Sequence, residues 1–284
     1  MKKKAYVIGT NVNKSLSPTI FQYWFKKYNI DGEYGYIEIE EKRFDKEIFS
    51  LLNTRSDLVG LNITIPYKEK IIPHLKEILT PHPKNIGSIN FIWSVKKNIW
   101  FGDNSDFIGF EKPIKRNQKK LEREKAIVIG FGGASKAVIY SLILMGFKEV
   151  YVFNRSFEKL TKSFDDWRKK VYLPVGSCNI KFHQLEDLKK HTKDADLIVN
   201  TTPTNVLGES KTWDINSQTL GFDIVYKPRQ GTGFLKHFNP NKRIEGIQML
   251  IYQAIPCFHK WFGVEPEADN DLFDLLYKKL EEKK

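Results

Sequence analysis

The run Gly130-Phe131-Gly132-Gly133-Ala134-Ser135-Lys136-Ala137 follows a compact apolar stretch and opens a helical one. Glycine at such a turn lets the backbone come close to a pyrophosphate. The helix that follows offers N–H groups and the positive end of its dipole. A second apolar stretch at 150–153 completes the strand–turn–helix–strand context that a dinucleotide turn needs. It ends in Asn154-Arg155-Ser156, with Lys159 one turn further on. NAD sites commonly place an acid there, about 20 residues after the glycines, to hold the ribose hydroxyls. A guanidinium and an ammonium instead attract a 2′-phosphate, and arginine can also stack on adenine. The expected cofactor is NADP, on Gly130, Phe131, Gly132, Gly133, Ala134, Asn154, Arg155, Ser156 and Lys159. A tight turn and a surface arginine at a strand end are the plainer readings of the same residues.

Two polar clusters precede this turn. Ser15-Leu16-Ser17-Pro18 sets two hydroxyls at a helix start, a seat for a carboxylate. A simple N-cap explains Ser17 but not Ser15. Asn62-Ile63-Thr64-Ile65-Pro66-Tyr67-Lys68 ends a strand with polar side chains alternating on one face, then a lysine just past a proline. Taken alone, Lys68 reads as a surface lysine.

The elements that carry these groups read as α/β with parallel sheets, because short apolar runs alternate with amphipathic stretches. Strands are expected at 5–8, 34–39, 58–65, 126–129, 150–153, 197–200 and 220–224. A strand pair is expected at 86–95 and 98–101, turning near Lys97-Asn98. Helices are expected at 18–28, with Ser17 as N-cap and Pro18 at the first position, and at 44–52. Others run from the glycine turn to Met145, closed by Gly146, and over 247–262 and 269–280. Residues 112–125, polar and containing Pro113, read as a surface segment. The pattern predicts two lobes with a cleft between them. One is an N-terminal α/β substrate domain, 1–108, completed by C-terminal helices in 236–284. The other is a Rossmann-like NADP-binding domain, 109–235.

A chain of 284 residues suits two domains, and 41% hydrophobic with 28% charged residues is ordinary for a globular protein. The formal net charge of +12 raises the question of a polyanionic partner. The lysines are spread along the chain, however, and no basic stretch alternates with aromatics to stack bases. No nucleic acid is expected. Cys178 and Cys257 lie far apart, and His259 beside Cys257 cannot complete a four-ligand site, so neither a disulfide scaffold nor a metal is expected. The apolar run after Met1 is too short for a signal peptide, and no stretch approaches the ~20 apolar residues of a membrane span. The expectation is a cytoplasmic monomer or homodimer acting on a small molecule, away from membranes.

Together these segments resemble the shikimate dehydrogenase family, in order and through nearly the whole chain. Its S-x-S-P appears as Ser15-Leu16-Ser17-Pro18, and its N-V-T-x-P-x-K as Asn62 to Lys68. Its G-A-V-N-T is Gly87-Ser88-Ile89-Asn90-Phe91, and its G-x-N-T-D-x-x-G is Gly102-Asp103-Asn104-Ser105-Asp106-Phe107-Ile108-Gly109. The glycine loop, Asn154-Arg155-Ser156 with Lys159, Asp223-Ile224-Val225-Tyr226 with Pro228, and Gly246-Ile247-Gln248-Met249 with Gln253 match further signatures.

The resemblance implies reversible NADPH-dependent reduction of 3-dehydroshikimate to shikimate, in the chorismate and aromatic amino acid pathway. It implies Lys68 and Asp106 as the catalytic pair. Ser15 and Ser17 would take the substrate carboxylate, and Thr64, Asn90, Asp106 and Gln253 its ring hydroxyls, with Tyr226 near the substrate. Ile224, Gly246 and Met249 would lie by the nicotinamide. Several positions depart from the family. Phe21-Gln22 stand for a His-Asn pair, Phe91 for a threonine, and the loop from Thr201 to Gly208 lacks the usual Gly-Met. The segment after Pro228 is one residue longer before Thr232. The alternatives are an NAD-dependent quinate/shikimate dehydrogenase and a member that binds without catalysis. The paired serines and the missing ribose acid speak against the first. Retention of Lys68 and Asp106 speaks against the second.

Overall fold

In the computed structural model, which describes residues 2–76, 80–96, 98–117, 121–173, 178–208, 213–226 and 232–282, the chain divides into two compact units. One is Met1–Ser105 with Gln253–Lys283; the other is Asp106–Tyr252.

In the first unit the strands are β1 (Lys3–Gly9), β2 (Gly32–Glu38), β3 (Leu58–Ile63), β4 (Phe91–Lys96) and β5 (Ile99–Asp103). Its helices are α1 (Ser17–Lys27), α2 (Phe44–Thr54) and α3 (Pro81–Ile86). The strand order is β2-β1-β3-β4-β5. β1 runs parallel to β2 and β3, while β4 and β5 are antiparallel additions. Parallel neighbours cannot be joined by a tight turn, so α1 and α2 make the crossovers. The β4–β5 hairpin turns through Asn98, in the left-handed region at φ 61; Lys97 lies outside the described residues. One face of the sheet buries Ile8, Phe44, Ile48, Leu61, Ile63 and Tyr67.

The remaining contacts of this unit are aromatic. Phe21, fully buried, stacks on Tyr34 at 3.9 Å and 16° and meets Phe258 and Trp261 from the C-terminal helix. Phe21-Gln22 thus has a packing reason, since Phe21 is core and only Gln22 is exposed. Trp261 fixes a glycine. A side chain on Gly60 would fall 1.9 Å from Trp261 Nε1, which is held by a 3.0 Å bond to the Ile92 carbonyl. Gly60→Ala is therefore expected to destabilise the fold by roughly 3 kcal/mol through overpacking. A lowered denaturation midpoint would show it.

The second unit holds α4 (Asp106–Asn117), β6 (Lys125–Ile129), α5 (Gly133–Leu144), β7 (Glu149–Asn154), α6 (Phe157–Lys170) and β8 (Asn179–Gln184). β9 (Leu197–Asn200), β10 (Leu220–Asp223), β11 (Arg243–Glu245) and the start of α7 (Gly246–Phe262) complete it. The remainder of α7 and α8 (Asn270–Glu281) belong to the first unit. Asp269 caps α8 by accepting the Leu272 N–H at 2.9 Å. All pairings in the second sheet are parallel, in the order β11-β10-β9-β6-β7-β8. The order reverses at β6, the switch point at whose carboxyl end ligands bind in open α/β sheets. β6, β9 and β10 are buried along their whole length, as strands covered on both faces must be. The expected α/β class with a Rossmann-like parallel sheet is the one found.

Local expectations fare unevenly. Ser17 is not an N-cap: Leu16 holds that position and Ser17 is the first helical residue. The strand expected at 58–65 ends at Ile63, and 86–95 begins as the close of α3 before β4 starts at Phe91. Residues 112–117 belong to α4 despite Pro113, which forfeits a single backbone bond. Burial of Phe107, Phe110 and Ile114, with Phe110 stacked 4.9 Å from Phe222, outweighs that loss. No helix among the described residues is long and apolar enough to cross a membrane.

Candidate functional site

In the first unit the polar groups gather at the carboxyl ends of β1 and β3. Ser15 Oγ and Ser17 Oγ lie 3.2 Å apart, and the Ser17 N–H also donates to Ser15 Oγ at 3.2 Å. Two hydroxyls thus meet at the start of α1, with Ser17 buried and Ser15 half-buried. Thr64 follows β3 directly, its N–H bonded to the Ile8 carbonyl at 3.0 Å. Gly9 makes room for it, since a Cβ there would meet the Thr64 methyl at 2.7 Å. Lys68 is half-buried in the turn that follows. Its carbonyl accepts the Ile89 N–H at 2.8 Å, so neighbouring backbone fixes where its side chain starts.

Asn90, just before β4, is the most constrained member. Its backbone is pinned on both sides, its carbonyl accepting from Ile63 at 2.7 Å and its N–H donating to Asp103 at 3.1 Å. Its side-chain amide donates to Gln253 Oε1 at 3.3 Å. Asn62, whose Oδ1 accepts the Tyr34 hydroxyl at 2.7 Å, lies beneath. The aromatic stack of Phe21 on Tyr34 is therefore one step from the polar floor. Asp106 is buried as the first residue of α4 and belongs to the second unit, whereas Lys68 belongs to the first.

In the second unit the glycine turn sits between β6 and α5. Gly130 has φ 98, and a Cβ there would come 2.7 Å from Thr201 Oγ1. Glycine is required at that position twice over. Gly132 and Gly133 are different, since a Cβ on either meets nothing within 4 Å. The internal packing does not demand them; an approaching ligand would. The ring of Phe131 packs against Phe164 and Trp167 of α6, leaving its backbone to the turn. At the end of β7, Asn154 and Ser156 are half-buried, while Arg155 and Lys159 are exposed. Open glycines at a helix start, with two cations at the next strand end, fit a dinucleotide bearing an extra phosphate.

Beyond β10, Ile224 and Tyr226 are half-buried; Pro228 lies outside the described residues. A Cβ on Gly246 would fall 2.3 Å from the Ile224 carbonyl, so these two positions touch backbone to backbone. Met249 is buried one turn further along α7. One hub of this unit escaped the sequence reading. Asp223, wholly buried, accepts from Thr232 N–H and hydroxyl at 3.0 and 2.8 Å, from Val225 N–H at 3.1 Å and from Asn200 Nδ2 at 3.2 Å. Burial pushes its carboxyl above the ordinary carboxylate range, against the opposing pull of those donors. Asn200 also accepts the Thr202 N–H and hydroxyl at 3.1 and 2.7 Å, which shapes the departed loop after Thr201. Neither role shows in local pattern, because the partners come from separate strand ends.

Residues 7–92 match the family described as shikimate dehydrogenase substrate binding domain, and residues 113–230 that described as shikimate / quinate 5-dehydrogenase. A shikimate dehydrogenase (NADP(+)) from Caldicellulosiruptor bescii is 32% identical over 285 residues, covering 96% of this chain and 94% of the relative. One from Dictyoglomus thermophilum is 35% identical over 263 residues, covering 90% of each. The crystal structure of shikimate dehydrogenase from Aquifex aeolicus is 28% identical, with a TM-score of 0.77 over 99% of this chain and 97% of that one.

Proposed function

This chain belongs to the shikimate dehydrogenase family, and from that premise we propose that it reversibly reduces 3-dehydroshikimate to shikimate with NADPH, in the cytoplasm. The observation that carries the reading is the pairing of functional groups in the first unit. A serine hydroxyl pair, Ser15 and Ser17, and an amide pair, Asn90 and Gln253, are the chemistry for a carboxylated polyol. The NADP(+) in the relatives' names agrees with the cations at the end of β7.

In this reading the Gly130–Gly133 turn and the start of α5 hold the pyrophosphate, and Asn154, Arg155, Ser156 and Lys159 hold the phosphorylated ribose. Phe131 and Ala134 contribute backbone, and Ile224, Gly246 and Met249 wall the nicotinamide. NADPH, when bound, supplies a hydride. The chain supplies everything else. Ser15 and Ser17 fix the carboxylate. Thr64, Asn90, Asp106 and Gln253 fix the ring hydroxyls, and Tyr226 lines the substrate. Losing any of these leaves buried polar groups unpaired, which is where discrimination arises. Lys68 gives its proton to the ketone oxygen as negative charge builds there, and takes it back in oxidation. Asp106 is its partner in the acid–base work.

Incubation with 3-dehydroshikimate and NADPH should yield shikimate, identified by mass spectrometry. A protein that binds both and forms no product would overturn the proposal. The glycine turn gives a separate expectation. Gly132→Val should leave the melting temperature nearly unchanged, because nothing internal stands in the way. It should weaken dinucleotide binding by about tenfold or more, the branched side chain filling the space that the pyrophosphate needs. Titration calorimetry would measure it.

A further inference from the structure

Ser105 has no place in the roles above, yet both its backbone N–H and its hydroxyl are bonded within the polar floor of the first unit. It is 1% exposed and Asn90 is 2% exposed. Its backbone N–H donates to Asn90 Oδ1 at 2.7 Å. Its hydroxyl lies 2.8 Å from the Gln253 carbonyl and 3.0 Å from Asn90 Nδ2. The hydroxyl also lies 3.7 Å from Cys257 Sγ, which in turn lies 3.3 Å from both Asn62 Nδ2 and the Gln253 carbonyl.

Donor and acceptor rules fix the orientation of both side-chain amides in this set. A backbone N–H can only donate, so the amide atom facing Ser105 N must be the oxygen of Asn90. The other atom of that amide is then Nδ2, which can only donate. Its neighbour across 3.3 Å must therefore accept, which makes that atom of Gln253 Oε1. The single hydroxyl proton of Ser105 goes to the Gln253 carbonyl, a group that only accepts, leaving the Ser105 oxygen to receive from Asn90. The chain of constraints thus ends at Gln253, whose Oε1 points back into the protein. Its Nε2, with two N–H donors, is on the other side of a half-buried residue.

We propose that Ser105 is a positioning residue that, through Asn90, locks the Gln253 amide so that it presents N–H donors to the substrate and selects a ring oxygen that accepts. The proposal rests on the reading of Gln253 as a substrate group. It adds to that reading the residue that sets its polarity, and the polarity itself. A rotatable glutamine would serve a donor or an acceptor equally. A locked one discriminates between them, because a mismatched pair leaves buried groups unsatisfied.

Initial-rate measurements on the whole enzyme test it, with KM for shikimate, KM for NADP+, kcat and melting temperature recorded for each variant. Ser105→Ala should raise the shikimate KM about tenfold, the size of one lost buried hydrogen bond with its orphaned partner, and leave the NADP+ KM unchanged. Ser105→Thr keeps both the N–H and the hydroxyl and should restore the shikimate KM. Gln253→Glu keeps an oxygen toward Asn90 but replaces the outward donor by a carboxylate oxygen, and should raise the shikimate KM more than Gln253→Ala does. That arm stands even if Ser105→Ala fails to fold. An unchanged shikimate KM in Ser105→Ala, equal shifts in both KM values, or a Gln253→Glu enzyme that keeps its shikimate KM would each overturn the proposal. Absence of shikimate turnover in the unmodified protein would instead sink the functional reading itself, before any variant is compared.

Discussion

Replacing Lys68 by alanine is expected to lower kcat about a thousandfold or more, within the range for loss of general acid–base catalysis, while shikimate still binds within a few-fold of normal. The asymmetry follows from placement. The Lys68 backbone is held by the Ile89 N–H at 2.8 Å and follows a turn in which the Tyr67 N–H bonds to the Thr64 carbonyl at 2.8 Å. The Tyr67 hydroxyl also donates to the Ile39 carbonyl. None of these bonds uses the lysine side chain, so truncation should remove the proton donor and leave the substrate floor standing. Lys68→Arg separates the two jobs that a cation could do. A guanidinium keeps the charge but does not give up its proton in the working range of a protein, so arginine should not rescue turnover. Recovery of kcat in Lys68→Arg would mean that the lysine contributes charge alone. Stopped-flow single turnover, with shikimate affinity measured separately, distinguishes these outcomes.

The second large effect is expected at Arg155. Arg155→Ala should raise the NADPH KM by about 10- to 100-fold, the equivalent of losing charge-assisted hydrogen bonds to one phosphate. The NADH KM should hardly move. Arg155 is exposed at the end of β7, so its removal costs the fold little, and a change confined to the phosphorylated cofactor can only come from the extra phosphate. Lys159→Ala, two residues into α6 from its start at Phe157, should act in the same direction and more weakly, as a flexible point charge does beside a planar fork. Equal losses for NADPH and NADH would remove Arg155 from the phosphate.

The cofactor half of this protein was readable because its chemistry is local. A glycine turn, the strand before it, the helix after it and the cations at the next strand end all lie within one stretch, residues 125–159. Each has its meaning from a short-range rule. The groups proposed for the substrate are marked in the sequence only by an ordered set of short motifs, since Ser15, Thr64, Asn90 and Gln253 come from distant parts of the chain. Ser105 shows the limit. It appears in the sequence as a small residue before Asp106, and its role exists only where α7 brings the Gln253 carbonyl to its hydroxyl. Asp223 is hidden in the same way, its four donors arriving from β9 and from both ends of the connection that follows β10.

Missed elements have more ordinary causes. Phe157, Leu160, Phe164 and Trp167 recur at helical spacing, and α6 was there to be read beneath its charges. β8 is an edge strand, half-buried and polar in composition, with little alternation to mark it. Pro113 suggested a break, but the tertiary burial around α4 overrode a local rule.

The most direct test of the central claim is a four-way initial-rate comparison followed at the reduced-nicotinamide absorbance band, with shikimate or quinate as substrate and NADP+ or NAD+ as cofactor. Shikimate with NADP+ is expected to give the highest kcat/KM by a wide margin. Activity confined to quinate with NAD+ would contradict both the substrate assignment and the role given to Arg155.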